Sequence, residues 1–325
     1  MKIAVIDDYQ DALRSLDCFA RLQGHEVTVF HDTLADPLQL ADRLKPFDVV
    51  ILTQQRSPFP RAVIERLPAL KLISQTGRNT AHIDLDACTA QGVAVAAAGS
   101  GSPHATAELA WGLILASMRH IPREVEALRA GRWQSSVGSG LHGKKLGIYA
   151  FGRIGSLVAE VGRAFGMKVM CWGRDGSLAN ARADGFSAAH SRADFFASAD
   201  VISLHLPLNA ETRGIITADD LAGMKTSALL VNTSRAPLIA EGALLAALKN
   251  GRPGSAAIDV FEQEPVLGGK HPLLAMPNVI CTPHLGYVEK SALENFYGGA
   301  IDSILAFAAG APANLINPAV LSPRR

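Results

Sequence analysis

Cysteine is scarce in this 325-residue chain: Cys18, Cys88, Cys171 and Cys281 stand far apart, and no Cys-x-x-Cys occurs. That removes the local signature of a dithiol or of a paired metal ligand, and no metal is expected. Cys171 and Cys281 fall in predicted strands, where cysteine behaves as a small buried hydrophobe. Charge of one sign is also lacking, with a net charge of +1. The chain therefore carries no bulk basic footprint for nucleic acid or an anionic membrane. No apolar run approaches the roughly 20 residues that cross a bilayer. The start, Met1-Lys-Ile-Ala-Val-Ile-Asp-Asp8, reads as a strand running into acids and not as a secretory leader. A reduced, cytoplasmic protein is expected, with neither a nucleic-acid nor a membrane partner. Apolar residues are plentiful: 48% hydrophobic against 19% charged is the balance of a folded chain, long enough for two cores.

The most informative stretch runs from Leu146 to Arg174. Leu146 to Tyr149 reads as a buried strand, and a turn with Gly152 and Gly155 follows. A helix then presents Ile154, Leu157, Val158, Val161 and Phe165 on one face. Val169 to Trp172 closes a strand–helix–strand unit of the length a parallel crossover needs. Gly152 lets backbone approach a pyrophosphate, Gly155 lets the helix approach the strand, and the helix N-terminus offers N–H groups to the anion. The dinucleotide fingerprint Gly-x-Gly-x-x-Gly is met here as Ala150-Phe-Gly152-Arg-Ile-Gly155. Alanine is the smallest replacement at the first position, so the tight turn survives if φ there is negative.

Before this unit, strands are predicted at Lys2–Ile6, Glu26–Phe30, Asp48–Leu52, Lys71–Ser74 and Val93–Ala96. Helices are predicted around Leu13–Leu22, Pro37–Leu44, Pro60–Leu67 and Leu85–Gln91, with Asp36-Pro37 as a helix start. Such alternation builds a parallel sheet covered on both faces. The loop Gln75-Thr-Gly-Arg-Asn-Thr-Ala-His-Ile-Asp84 leaves a strand end, where N–H groups around Gly77 and the cation of Arg78 could grip a carboxylate. Read alone, it is an ordinary polar loop. Gly99-Ser-Gly-Ser-Pro103 reads as a hinge, and His104 to His120 as a long apolar helix ended by Pro122. After Arg174 strands are predicted at Asp200–Leu204, Ala228–Asn232, Ser255–Val260 and Asn278–Cys281, and a last helix at Glu289–Ala309. The two halves share only a weak two-fold likeness.

Three ionisable residues follow consecutive strands of the second half: Arg235, Glu264 and His284. Hydride transfer to a carbonyl needs a proton donor for the developing alkoxide, a role suited to histidine near neutral pH. A neighbouring carboxylate fixes the imidazole tautomer, and an arginine holds a substrate carboxylate at two points. Singly each has a bland reading as a surface or loop residue; gathered at one sheet edge, they read as a site.

Five stretches then carry a resemblance over essentially the whole chain: Leu146-Gly-Ile-Tyr-Ala-Phe-Gly-Arg-Ile-Gly155, His205-Leu-Pro-Leu-Asn-Ala-Glu-Thr212, Val231-Asn-Thr-Ser-Arg235, Ile258-Asp-Val-Phe-Glu-Gln-Glu-Pro265 and Thr282-Pro-His-Leu-Gly286. The chain resembles the D-isomer-specific 2-hydroxyacid dehydrogenase family. The resemblance implies an α/β protein of two Rossmann-like, doubly wound parallel-sheet domains with the active site in the cleft between them. It implies a discontinuous, flavodoxin-like substrate domain, residues 1–98 plus 289–325, and a dinucleotide-binding domain, residues 99–288. By the same carry-over His284 is the acid/base, Glu264 its partner and Arg235 the substrate-orienting cation. Thr106, Gly152, Arg153, Ile154, Gly155, Gly173, Arg174, His205, Leu206, Pro207, Thr212, Thr233, Ser234, Asp259 and Gly286 would meet the cofactor. Arg56, Gly77, Arg78 and Asn79 would meet the substrate, a small 2-oxo acid or D-2-hydroxy acid. Members form homodimers through the nucleotide domain, which the apolar His104–His120 helix makes reasonable here.

Two departures bear on specificity. Arg78-Asn79 stand where the family has small residues. Seventeen residues separate Gly155 from Gly173-Arg174, where NAD-binding members place an aspartate on the ribose. Loss of that carboxylate and gain of an arginine favour NADP(H) over NAD(H), with Asp175 the counterweight. The rival reading is a cofactor-sensing binding protein resembling the C-terminal-binding corepressors; the absence of an appended tail or basic arm speaks for an enzyme.

Overall fold

The computed structural model describes residues 1–321, so Ser322 to Arg325, the end of the expected 289–325 segment, lie outside the described residues. Its strands are β1 (Lys2–Ile6), β2 (Glu26–Val29), β3 (Val49–Leu52), β4 (Leu72–Thr76), β5 (Ala94–Ala98), β6 (Lys145–Tyr149), β7 (Lys168–Trp172), β8 (Ser187–Ala188), β9 (Val201–Leu204), β10 (Leu229–Asn232), β11 (Ser255–Ile258) and β12 (Val279–Cys281). The chain divides into two compact units, Met1–Ser102 with Val288–Arg325, and Pro103–Tyr287. Each is a Rossmann-like α/β unit with a parallel sheet.

In the first unit the order is β2-β1-β3-β4-β5, with every pairing parallel. This is the flavodoxin-like arrangement, whose ligand edge lies at the carboxyl ends of the strands. β3, β4 and β5 are buried throughout, as parallel strands covered on both faces must be. One face carries Leu40, Leu44, Val63, Ile64 and Cys88; on β4, Ser74 Oγ donates to the Ala300 carbonyl of helix Lys290–Ala308 at 2.8 Å. Helix Pro37–Leu44 starts as its sequence indicates, with the Asp36 carboxylate accepting the Leu38 N–H and proline in the first turn.

Two helical expectations are corrected. Leu13–Leu22 is a pair of 3₁₀ turns, Leu13–Ser15 and Asp17–Leu22, because Leu16 between them is extended (ψ 145°). The Asp8 carboxylate fixes the first turn by accepting the Ala12 and Leu13 N–H groups at 2.9 and 3.0 Å. Of Pro60–Leu67 only Arg61–Ile64 is α-helical.

The second unit has the order β12-β11-β10-β9-β6-β7-β8, again all parallel. The chain reverses direction across the sheet between β6 and β9, and such a switch point opens a ligand crevice. Helix Pro103–Met118 buries Ala107, Ala110, Trp111, Leu113, Ile114 and Met118 in this unit's core. Its end is not set by Pro122. His120 turns left-handed (φ 54°), and Pro122 sits in the first turn of the next helix, Ile121–Arg129, where it lacks no needed donor.

The two-fold likeness of the halves has a physical form. Asp48, before β3, accepts the Lys2 N–H and the Lys71 ammonium, both at 2.8 Å. Asp200, before β9, accepts the Lys145 N–H and the Lys225 ammonium, both at 2.8 Å. Each carboxylate ties the amino ends of three adjacent strands.

Candidate active site

At the carboxyl end of β6 the backbone turns sharply through Ala150, whose φ is +73°. The condition of a negative φ is not met, and the turn forms all the same: alanine adopts the left-handed conformation that glycine favours. The turn is held by Phe151, whose N–H donates to Ser177 Oγ at 2.7 Å. Helix Arg153–Ala164 begins at Gly152, which makes no side-chain cap, so first-turn N–H groups and the positive end of the dipole stay available. A Cβ on Gly152 would meet nothing within 4 Å, whereas one on Gly155 would lie 2.3 Å from the Ala150 carbonyl oxygen. Open space in front of Gly152 and close packing behind Gly155 fit a pyrophosphate at this helix end. The buried side of the helix is Gly155, Val158, Ala159 and Gly162, with Ile154 half-buried. Val161 and Phe165, expected inward, lie outside, because small residues set the contact with β6.

At the end of β7, Arg174 precedes helix Asp175–Ala183. Its side chain is 86% exposed, with the guanidinium 4.0 Å from the Glu211 carboxylate. Arg153 and Asp175 are exposed as well.

Past β9, the His205 N–H donates to the Tyr149 carbonyl at 3.0 Å, which joins this loop to the end of β6. Both imidazole nitrogens of His205 are buried without a protein partner, and burial pushes its pKa down to about 4. Leu206 is buried. Thr212 Oγ1 donates to the Pro207 carbonyl at 2.7 Å and accepts the Asn209 N–H at 2.8 Å, closing the loop on itself.

Past β10, Asn232 braces the next turn, and sequence reasoning had not singled it out. Its Nδ2 donates to the Arg235 carbonyl and its Oδ1 accepts the Ser234 N–H, both at 3.0 Å. The signal was available, since asparagine at a strand end closes turns through its own side chain. Ser234 Oγ donates to the Leu204 carbonyl at 2.7 Å, and Thr233 Oγ1 is buried without a protein partner. Arg235 is exposed, with Nη1 donating to the Ser234 carbonyl at 2.7 Å.

Past β11, Asp259 is fully buried. It accepts from Thr282 Oγ1 (2.6 Å), Leu285 N–H (2.7 Å) and Gly286 N–H (2.9 Å). Burial pushes its carboxyl above the usual range, against the pull of those donors and of His284. Its oxygens are thus committed to the turn that carries His284. Thr106 Oγ1 secures that turn from helix Pro103–Met118, donating to the Gly286 carbonyl at 2.8 Å.

Within the turn His284 is left-handed (φ 52°), and its Nδ1 lies 2.6 Å from Glu264 Oε2, both side chains being 17% exposed. The second oxygen, Glu264 Oε1, accepts the Phe261 N–H at 2.9 Å. An ionised carboxylate only accepts, so Nδ1 carries the proton and Nε2 is the nitrogen left to exchange one.

The remaining predicted residues belong to the first unit. Arg56 follows β3; Gly77, Arg78 and Asn79 follow β4. Arg56 is half-buried and acts on the buried Asp7, whose carboxyl is raised by burial and lowered by hydrogen bonding and by this cation. Arg78 is exposed, and Asn79 Oδ1 accepts the Ala81 N–H at 3.0 Å. The expected grip by Gly77 is corrected: its N–H already donates to the Ala98 carbonyl at 2.6 Å. Among the described residues no cluster of His, Cys, Asp and Glu could hold a metal.

Comparison with known proteins gives a consistent result. Residues 111–286 match the family described as D-isomer specific 2-hydroxyacid dehydrogenase, NAD binding domain. The chain is 37% identical over 274 residues to D-3-phosphoglycerate dehydrogenase of Bacillus subtilis (83% of this chain), of which it spans about half, 51%. It is 36% identical over 273 residues to glyoxylate reductase of Aeropyrum pernix, covering 81% of each. The crystal structure of a phosphoglycerate oxidoreductase from Vibrio cholerae superposes with a TM-score of 0.92 at 48% identity, covering 96% of this chain and 100% of that one.

Proposed function

The chain belongs to the D-isomer-specific 2-hydroxyacid dehydrogenase family, and on that footing we propose that it is an NAD(P)-dependent 2-oxo acid reductase acting reversibly on D-2-hydroxy acids. The observation that carries this reading is the 2.6 Å contact between His284 and Glu264. It leaves Nε2 to protonate the carbonyl oxygen in reduction and to take the proton back in oxidation. Glu264 holds the ring and offsets the imidazolium charge that forms in oxidation. Arg235 orients the substrate carboxylate, and Asp259 holds the turn that presents His284. A bound nicotinamide supplies the hydride; the open space at Gly152 and the unpartnered groups of His205 and Thr233 fit a nucleotide there. Arg56, Arg78 and Asn79 are proposed to select the acid.

NADP(H) is proposed as the favoured cofactor. The Arg174 guanidinium is exposed beside Glu211, and a 2′-phosphate would offer it a stronger, two-point partner. A homodimer through the nucleotide domain is proposed as well. Helix Pro103–Met118 buries one side in its own unit, and Ile121, Val125, Leu128 and Trp133 are exposed in and after the next helix. The proposed setting is cytoplasmic. No described helix is long and apolar enough to cross a membrane, and the four cysteines are free.

A panel of 2-oxo acids offered with NADH and NADPH tests this reading, together with Arg174→Ala. The expected result is turnover of a small 2-oxo acid, with kcat/KM for NADPH falling in Arg174→Ala far more than that for NADH. Tight cofactor binding without turnover of any acid would return the chain to a cofactor-sensing binding protein. A tenfold wild-type preference for NADH, about 1.4 kcal/mol of discrimination, would overturn the assignment of Arg174.

A further inference from the structure

Glu264 lies in a segment without regular structure between β11 and the short 3₁₀ helix Pro272–Ala275. A loop of this length keeps one conformation only if its own side chains pack and bond across it. Here one side chain does so at the neck. His271 Nδ1 accepts the Leu273 N–H at 3.3 Å, which caps the 3₁₀ helix at the end of the loop. Its other nitrogen, Nε2, lies 3.1 Å from Glu262 Oε2 at the start of the loop. With Nδ1 accepting, Nε2 is the protonated nitrogen and donates to that carboxylate. The ring also meets the Phe261 ring edge-on, with centroids 4.9 Å apart.

These contacts lead directly to the acid–base pair. The Phe261 N–H donates to Glu264 Oε1, and Glu264 Oε2 meets His284. Beside the clasp lies a cavity of about 280 Å³, lined by Asn232, Ile258, Val260, Glu262, His271 and Leu273 among others. We propose that His271 is a positioning residue for the reaction: with Glu262 it clasps the two ends of the loop and so holds Glu264 against His284. The proposal rests on the reading of Glu264 and His284 as the acid–base pair.

The test compares His271→Ala, Glu264→Gln and their double variant in the full chain, with Glu262→Ala as an exposed-side variant that folds even if His271→Ala does not. Glyoxylate is the first substrate probe, replaced by the best acid of the panel if it is turned over slowly. For His271→Ala, kcat should fall about tenfold, within the roughly 100-fold that a misplacement of about 1 Å can cost. KM for the cofactor should stay within about twofold, since the clasp does not touch the nucleotide site. Glu262→Ala should lower kcat about threefold, as a partial loss of the same restraint. In the Glu264→Gln background the His271→Ala effect should vanish, because residues that act through one another are not additive. His271→Asn keeps an acceptor for the Leu273 N–H but loses the reach to Glu262, so it should restore thermal stability without restoring kcat. Unchanged kcat in both His271→Ala and Glu262→Ala, or losses that multiply in full with Glu264→Gln, would overturn the proposal while leaving the acid–base pair intact. A Glu264→Gln variant with wild-type kcat would instead remove the reading beneath it, and the proposal with it.

Discussion

The carbonyl oxygen of Ala150 occupies the space that a Cβ on Gly155 would need, the two standing 2.3 Å apart. The turn that ends β6 and the helix that receives the phosphates are therefore fitted to each other at one point. Gly155→Ala must push the helix off the strand end, costing about 1–3 kcal/mol as overpacking does. Cofactor affinity should fall at least about tenfold, the equivalent of some 1.4 kcal/mol. Ala150→Gly should do the opposite to stability. It relieves a left-handed strain of about 1–2 kcal/mol, less glycine's cost of roughly 0.5–1 kcal/mol in chain entropy. Urea unfolding and cofactor titration of the two variants check both signs, and a Gly155→Ala protein with undiminished affinity would contradict the fit.

Acid should weaken the fold through two buried histidines. Burial lowers His82 and His205 from the ordinary 6.5 to about 4 in each case. The folded pKa lies below the unfolded one, so the unfolded chain binds more protons between them. Their contribution is therefore complete above about pH 6.5 and is lost as pH falls toward about 4. Urea midpoints should decline across that window, and the decline should flatten in His82→Gln/His205→Gln even if the starting stability is lower. An equally steep decline in the double variant would assign the effect elsewhere.

Local chemistry was legible in the sequence; long-range partners were not. The order of strands, the Asp36 cap and helix Leu85–Gln91 follow from period and capping within a few residues. The gathering of Arg235, Glu264 and His284 after β10, β11 and β12 follows from parallel topology alone. What escaped depends on contacts distant in the chain. The Gly77 N–H is taken by Ala98, and Asp259 is engaged by residues 282 to 286. The inward side of the Arg153–Ala164 helix was misread because Gly155 and Gly162 carry no apolar side chain, yet set the contact. At Ala150 propensity favours a negative φ, and the turn overrides it.

Leu128 (59% exposed), Trp133 (78%) and Val137 (94%) expose more apolar surface than isolated surface residues need. If a second copy covers them, Leu128→Glu with Trp133→Ala should convert a dimer into a monomer. Sedimentation velocity distinguishes the two, and a wild-type monomer at micromolar concentration would contradict the proposed dimer.

The central claim is that His284 exchanges the proton. Single-turnover oxidation of bound reduced cofactor by the preferred 2-oxo acid, followed by nicotinamide absorbance in wild type and His284→Ala, tests it most directly. The account predicts a rate lower by about 10²–10⁴ in the variant, the contribution of a general acid, with the cofactor dissociation constant unchanged. A variant that transfers hydride within a few-fold of the wild-type rate would contradict it.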